Sequence, residues 1–503
     1  MSAKTVGNDF TAFVKKIESF NNASNVLYWD MRTKIPRKGM DARSEVVSTL
    51  STEAFKLSTS DQMGEFLETL SVKEAYEELD HVTQRLVDEC KREYDLNKKI
   101  PADRFQEYVL LKNKSENLWE EAREKNDFAL FQSSLEQVID MTLEFIEYWG
   151  VKESKYDTLL DQYEPGITTK DLDQIFGQLR EKTVPLLQAI QESGRTPDIR
   201  FFKQSFSLKE QEDFNRYMLT QIGFDFEAGR LDTSIHPFCI DFGATDVRLT
   251  TRYDENDLRY ALLSSMHEAG HGIYEQNIDL KLQGLPLDTG ASMGVHESQS
   301  RFYENMIGRS LPFWEHYYPE LQKAFPAQLS HISLRDFHRA INLVEPSLIR
   351  TEADELTYNL HIMLRYELEK GLINQSIRVA DLPELWQVKM KEYLGIEVPN
   401  DQVGVLQDVH WSGGLIGYFP TYSLGNVYSA QFANAMQQQL PSYDELLRQG
   451  NLAPINEWLR TNIQQHGKLK TPKELLLDVT GEGVNATYLV DYLEKKFKAI
   501  YEL

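Results

Sequence analysis

Met266-His267-Glu268-Ala269-Gly270-His271-Gly272-Ile273-Tyr274 lies in a run whose spacing predicts one helix over 256–277. Two histidines four apart sit one turn apart on a single helix face. Both imidazoles can therefore reach one metal ion. Glu268 projects about 60° around the axis from His271 and flanks the ion without having to bind it. Two nitrogen ligands, with a carboxylate placed to take a proton from water, suit a zinc hydrolase. An ordinary solvated helix face carries the same residue types, so the neighbouring segments must decide.

A catalytic zinc site needs a third protein ligand and an open position. Positions 274 and 277, where a further histidine would continue the face, are Tyr274 and Asn277. Glu275 lies about 6 Å further along the axis than His271 and supports the site or faces solvent. The better third ligand is Glu297, in His296-Glu-Ser-Gln-Ser-Arg301, on the next predicted helix, 293–310. The connection from Leu280 to Gly294 holds Gly284, Pro286 and Gly290, so the chain can reverse and bring that carboxylate to the ion. A surface pair between Glu297 and Arg301 at i+4 is the competing reading.

Immediately upstream, Asp246-Val-Arg-Leu-Thr-Thr-Arg-Tyr253 alternates strictly, as a half-buried strand does. His236-Pro-Phe-Cys-Ile-Asp-Phe242 reads as its hairpin partner, giving a small antiparallel β-hairpin over 236–253. An exposed strand edge there could hold a peptide backbone beside the metal. Asp254-Glu-Asn-Asp257 then caps the metal helix. Gly270 and Gly272 each cost about 1 kcal/mol inside a helix, so another element should approach this face closely.

Two later segments carry polar residues in apolar company. Pro346 to His361 reads as a helix start, with Arg350, Asp354 and His361 near one stripe. Arg350 could clamp a carboxylate bidentately, or simply pair with Asp354. Gly404 to Gly425 mixes His410, Trp411, Tyr418 and Tyr422 with glycines. Such a loop can approach a ligand closely, and His and Tyr can donate to a developing oxyanion. An aromatic-packed connector would look similar.

The rest of the chain is helical in period: Phe10–Phe20, Ala75–Lys98, Leu118–Glu147, Asp171–Ser193 and Asp354–Lys370. No repeat or low-complexity linker divides the 503 residues, which predicts one large, mainly α body. The formal net charge of -24 argues against nucleic acid and anionic membranes as partners. Cys90 and Cys239 form no disulfide framework and no thiolate zinc site. No signal-peptide core or membrane span is visible, and the expectation is a cytoplasmic protein.

These segments together resemble the carboxypeptidase Taq family of zinc-dependent metallocarboxypeptidases. The matching stretches are His236-Pro-Phe238, Asp246 to Tyr253, His267-Glu-Ala-Gly-His271, His296-Glu-Ser-Gln-Ser-Arg301, Ile349-Arg-Thr-Glu-Ala-Asp-Glu355 and Gly404-Val-Leu-Gln-Asp-Val-His-Trp411, with Trp29-Asp30 in the N-terminal helices. The resemblance implies a helical body with a deep central groove. Residues 1–200 would form its lid and wall, and 201–503 its catalytic region. It implies a homodimer that removes single residues from free peptide C-termini with broad preference, using one divalent ion per chain, zinc or sometimes cobalt. Carried over by motif, His267, His271 and Glu297 are the ligands and Glu268 the base. Arg350 binds the substrate carboxylate. His236 and Arg248 are further substrate residues, and His410, Tyr418 and Tyr422 steady the oxyanion. An endo-acting oligopeptidase with the same metal site and a non-catalytic metal-binding helical protein are the alternatives.

Overall fold

A computed structural model of the chain describes residues 2–503, the side chain of residue 102 apart. Its core is one unbroken apolar cluster running from Phe10 to Tyr501, as expected of a single helical body. Long helices form wherever the apolar period is sustained, and short side chains start them. Thr168 caps Thr169–Ser193 in a capping box, and Ser292 accepts from Val295 N ahead of Met293–Arg301. The N-terminal third consists of helices including Ala3–Thr33, Met40–Ser58, Ala102–Lys125, Phe128–Trp149 and Lys155–Tyr163. It reaches the loop 404–425 directly. Trp119 Nε1 donates to Leu406 O at 3.0 Å, and Gly417 packs against Leu159.

The hairpin forms, with β2 (Cys239–Asp241) antiparallel to β3 (Val247–Thr251). A third strand was not anticipated. β1 (Gly229–Thr233) pairs parallel with β3, so the sheet is mixed, in the order β1-β3-β2. The alternating strand is therefore central, and the free edge on the hairpin side belongs to β2.

Three predicted helices differ in extent. Leu118–Glu147 is two helices, because Asn126 turns left-handed (φ 53°) and ends Ala102–Lys125. Ala75–Lys98 breaks before Asp80, whose carboxylate caps His81–Asn97. Pro346 does not open a helix. Only a 3₁₀ turn, Arg350–Glu352, precedes Tyr358–Ile373. Asp354 accepts from the main-chain N–H groups of Glu345, Leu356 and Thr357, which ties the intervening chain into a turn. Arg350, Asp354 and His361 thus share no helical stripe, and the Arg350–Asp354 pair does not exist.

The metal helix is Leu258–Gln276, capped by Asp257 as expected. Its glycines mark close approaches. A Cβ on Gly270 would lie 2.6 Å from both Gln299 O and Ser300 Cα, on the helix that carries Glu297. A Cβ on Gly272 would strike Phe224 and Leu249 of β3. Gly425, on Pro420–Gln439, does the same service behind Glu297, whose Cγ is 2.4 Å from where a Cβ would stand. Three helices are thereby pressed together around one carboxylate.

Candidate active site

His267, His271 and Glu297 converge, with one ligand atom from each lying within 4.8 Å of the others. His267 Nε2 is 3.6 Å and His271 Nε2 3.3 Å from the same Glu297 oxygen, Oε2. Two imidazole nitrogens and one carboxylate aimed at one point fit a divalent ion of the zinc type, with a coordination position left over. Burial tends to raise the Glu297 pKa, yet the Arg301 guanidinium and the two imidazoles hold it well below the usual carboxylate range. Arg301 Nε donates to Glu297 Oε1 at 2.7 Å, so the helical pair is real and leaves Oε2 facing the histidines.

The outer nitrogens are braced differently. His267 Nδ1 is 2.9 Å from Glu304 Oε2, on a turn wound in π geometry over Phe302–Ile307, a distortion common at functional sites. His271 Nδ1 instead meets His296 Nδ1 at 2.5 Å, and His296 Nε2 meets Glu275 Oε1 at 2.6 Å. Glu275 is therefore buried support, reached through a second imidazole. Both arrangements fix the orientation of the inner nitrogen, as the outer partners of a metal-binding histidine do.

Glu268 is buried beside the cluster. Burial pushes its pKa up to about 7, with His267 opposing and Glu297 and Glu304 adding to the rise. A carboxylate so tuned can take and release a proton near neutrality.

Arg350 lies in a second cluster. Its Nε and Nη2 donate to Asp408 Oδ1 at 3.0 and 2.9 Å, and its Nη1 to the Tyr358 hydroxyl at 3.0 Å. The guanidinium sits 4.8 Å over the Tyr422 ring. His410 Nε2 is 3.1 Å from the Tyr422 hydroxyl, and the Tyr418 and Tyr422 rings stand 5.3 Å apart. Burial pushes His410 down to about 3 and, with Arg350 opposing, lifts Tyr422 well above the phenol range. Tyr418 goes up to about 12 by burial. A neutral imidazole and two intact phenols thus stand together, and after the His410–Tyr422 bond takes one hydrogen the others remain to donate.

Tyr358 joins the clusters. The Arg301 guanidinium lies 4.3 Å over its ring, while its hydroxyl holds Arg350.

A profile of the Carboxypeptidase Taq (M32) metallopeptidase family matches residues 9–497. "Carboxypeptidase 1" of Bacillus subtilis (strain 168) is 47% identical over all of both chains. "Thermostable carboxypeptidase 1" of Thermus thermophilus is 39% identical over 94% of each. The M32 carboxypeptidase of Deinococcus radiodurans R1 superposes with a TM-score of 0.96 at 35% identity, over 99% of this chain and 100% of that one. The chain belongs to the M32 metallocarboxypeptidase family.

Two residues of this M32 chain stand apart from both clusters. His236 is exposed at the turn before β2, beside Phe238, which packs on Trp29 at 5.5 Å. Arg248 forks onto Asp246 at 2.8 and 2.7 Å and lies over Phe242. Among the described residues, neither side chain hydrogen-bonds to the metal or arginine cluster. Sequence reasoning missed Tyr358, Arg365, Asp408, Glu304 and the brace through His296. Arg365 alone left a signal: a charge in the apolar run Leu360 to Tyr366, which is buried all round.

Two buried glutamates hold these parts to the N-terminal helices. Glu369 accepts from Tyr156 (2.6 Å), Trp411 Nε1 (2.8 Å) and Gly417 N (3.0 Å). Glu164 accepts from Gly294 N and the Tyr428 hydroxyl, both at 2.9 Å. Burial pushes each up to about 7.

Proposed function

We propose that this enzyme removes single residues from free peptide C-termini, with the broad side-chain preference that its family resemblance implies. His267 Nε2, His271 Nε2 and the Glu297 carboxylate would hold the ion, zinc or cobalt. When bound, such an ion supplies Lewis-acid polarisation of the scissile carbonyl and an acidified water. Glu268 takes the proton as water attacks and returns it to the departing amine. Tyr418, Tyr422 and His410 donate hydrogen bonds to the oxygen on which negative charge develops. His236 and Arg248 would meet more distant parts of the peptide, and residues 1–200 would wall and cover the groove.

The observation that carries the exopeptidase reading is the arginine cluster. Arg350 and Arg365 share one aspartate, so this buried site has a positive surplus. Tyr358 sets that surplus one tyrosine away from Arg301 and the ligand Glu297. A free C-terminal carboxylate supplies the missing charge and fixes the last peptide bond at the metal cluster.

The test compares one peptide as its free acid and as its C-terminal amide, followed by mass spectrometry with zinc or cobalt present. The acid should shorten one residue at a time and the amide should persist. Internal cleavage of the amide would instead establish the endo-acting oligopeptidase. Metal uptake with neither cleavage would favour the non-catalytic protein.

A further inference from the structure

Arg350 is held without help, with three of its five N–H groups in use. Asp408 Oδ1 accepts two of its N–H groups and Tyr358 a third. A second guanidinium is nevertheless buried behind the first. Arg365 Nε donates to Asp408 Oδ2 at 2.7 Å, its Nη2 lies 2.5 Å from the same oxygen, and its Nη1 donates to His361 O at 2.7 Å. Its face lies 4.5 Å over Trp386, and none of it reaches the surface. A buried charge of this kind is expensive, and a whole buried ion-pair network can often be replaced by apolar side chains of similar volume with no loss of stability.

The surrounding groups do not cancel the surplus. His361 is buried against both arginines, and burial together with their charge keeps its imidazole neutral. Glu369, one turn along the same helix, is taken up by Tyr156, Trp411 and Gly417 and bonds neither arginine; burial pushes it up to about 7 against the pull of Arg365, so it offsets the surplus only above that pH. With Arg365 absent, Arg350 and Asp408 would make a neutral pair. A neutral pair offers a substrate carboxylate geometry but little attraction.

We infer that Arg365 is a positioning residue for C-terminal recognition: it occupies half of Asp408, and so leaves the charge of Arg350 uncompensated until a peptide carboxylate arrives. This rests on reading Arg350 as the carboxylate binder. Arg365 touches no substrate. It acts through the shared aspartate and through the charge balance of the site.

The test is a charge count. An N-blocked peptide acid and its amide are assayed with the metal-loaded wild type and with the Arg365→Met, Arg365→Met/Asp408→Asn and Arg350→Met variants. Thermal melting checks folding. Arg365→Met should raise KM for the acid roughly 10- to 100-fold, with kcat within about threefold; Coulomb's law gives a unit charge several ångströms away an effect of this size at an effective dielectric near 20. Adding Asp408→Asn restores the surplus and should recover most of the KM, although it deletes further hydrogen bonds. A merely structural arginine predicts the opposite, a double variant worse than the single. That outcome, or an unchanged KM in Arg365→Met, overturns the inference. If Arg365→Met does not fold, Arg365→Lys and Arg365→Gln replace it. Both lose the fork, and only the lysine should keep a low KM; equal KM values for the two overturn the inference as well. Failure of the underlying reading looks different: Arg350→Met would then bind acid and amide as the wild type does.

Discussion

The metal end and the arginine end of this site carry opposite charge deficits. At the metal end Glu297 and Glu304 balance Arg301 and Arg309, and Glu268 makes the surplus negative once it ionises. At the other end Arg350 and Arg365 outnumber Asp408, and the surplus is positive. In the proposed function, a cofactor cation would answer the first deficit and a substrate anion the second. Tyr358 keeps them one side chain apart, under Arg301 at its ring and against Arg350 at its hydroxyl. Each cluster is left with uncompensated charge, and the paired groups in both are held by hydrogen bonds to one another.

The comparison breaks most visibly at Glu268. Glu268→Gln should lower kcat by about 10²–10⁴-fold while metal content, read by mass spectrometry of the native protein, stays at one ion per chain. Unchanged turnover would remove Glu268 from the chemistry. The next effect is confined to the metal end. Glu304→Gln and His296→Phe should each weaken metal binding by about 10- to 100-fold in chelator competition. Affinity of the metal-loaded variants for a C-terminal carboxylate inhibitor should not change. If His296→Phe leaves the metal affinity intact, the two-imidazole brace on His271 has no role beyond packing.

Tyr358→Phe sharpens the boundary between the ends. It keeps the ring under Arg301 and deletes the acceptor for Arg350, so KM for a free-acid peptide should rise about tenfold, the size of one hydrogen bond to a charged group. Metal affinity should hold, and a fall in it would mean that the clusters are not separable.

Glu164 and Glu369 brace one end each, and their titration offers a smaller effect. Both have folded pKa values of about 7 against a usual 4.5. Between those values the folded protein keeps a proton that the unfolded chain has released. Each glutamate therefore contributes stability that is complete below about 4.5 and is lost as pH rises through 7, at most about 3 kcal/mol apiece. In metal-free protein, the melting temperatures of Glu164→Gln and Glu369→Gln should gain on the wild type between pH 5 and 8. A difference that stays flat with pH would show that these carboxylates are ionised throughout. The smallest change belongs to His236→Ala and Arg248→Ala, outside both clusters. Each should shift KM by a few-fold on longer peptides and leave metal affinity alone.

The two ends also differ in how far they could be read from the chain. His267, Glu268 and His271 share one helix, where a four-residue step already sets distance and direction. Glu297 was reachable because a glycine-containing reversal separates two amphipathic runs. Gly270 announced the contact between them, although only the packed helices named Ser300 as its partner. Arg350 was singled out too, but in the wrong setting. Helical period offered Asp354 as its partner, whereas the partner is Asp408 from a distant loop. Nothing in local spacing distinguishes a carboxylate four residues away from one brought close by packing.

What the amino-acid order determined on its own is whatever a single helix or hairpin can enforce: the histidine pair, its neighbouring carboxylate, the strand before them and the mainly helical body. Tertiary structure alone decided which arginines share Asp408, which imidazole stands behind His271, and that Tyr358 spans the two clusters. Those pairings join segments that meet only when helices pack. The energy that selects them is burial of charge with a partner, and that energy does not exist until the interior has formed.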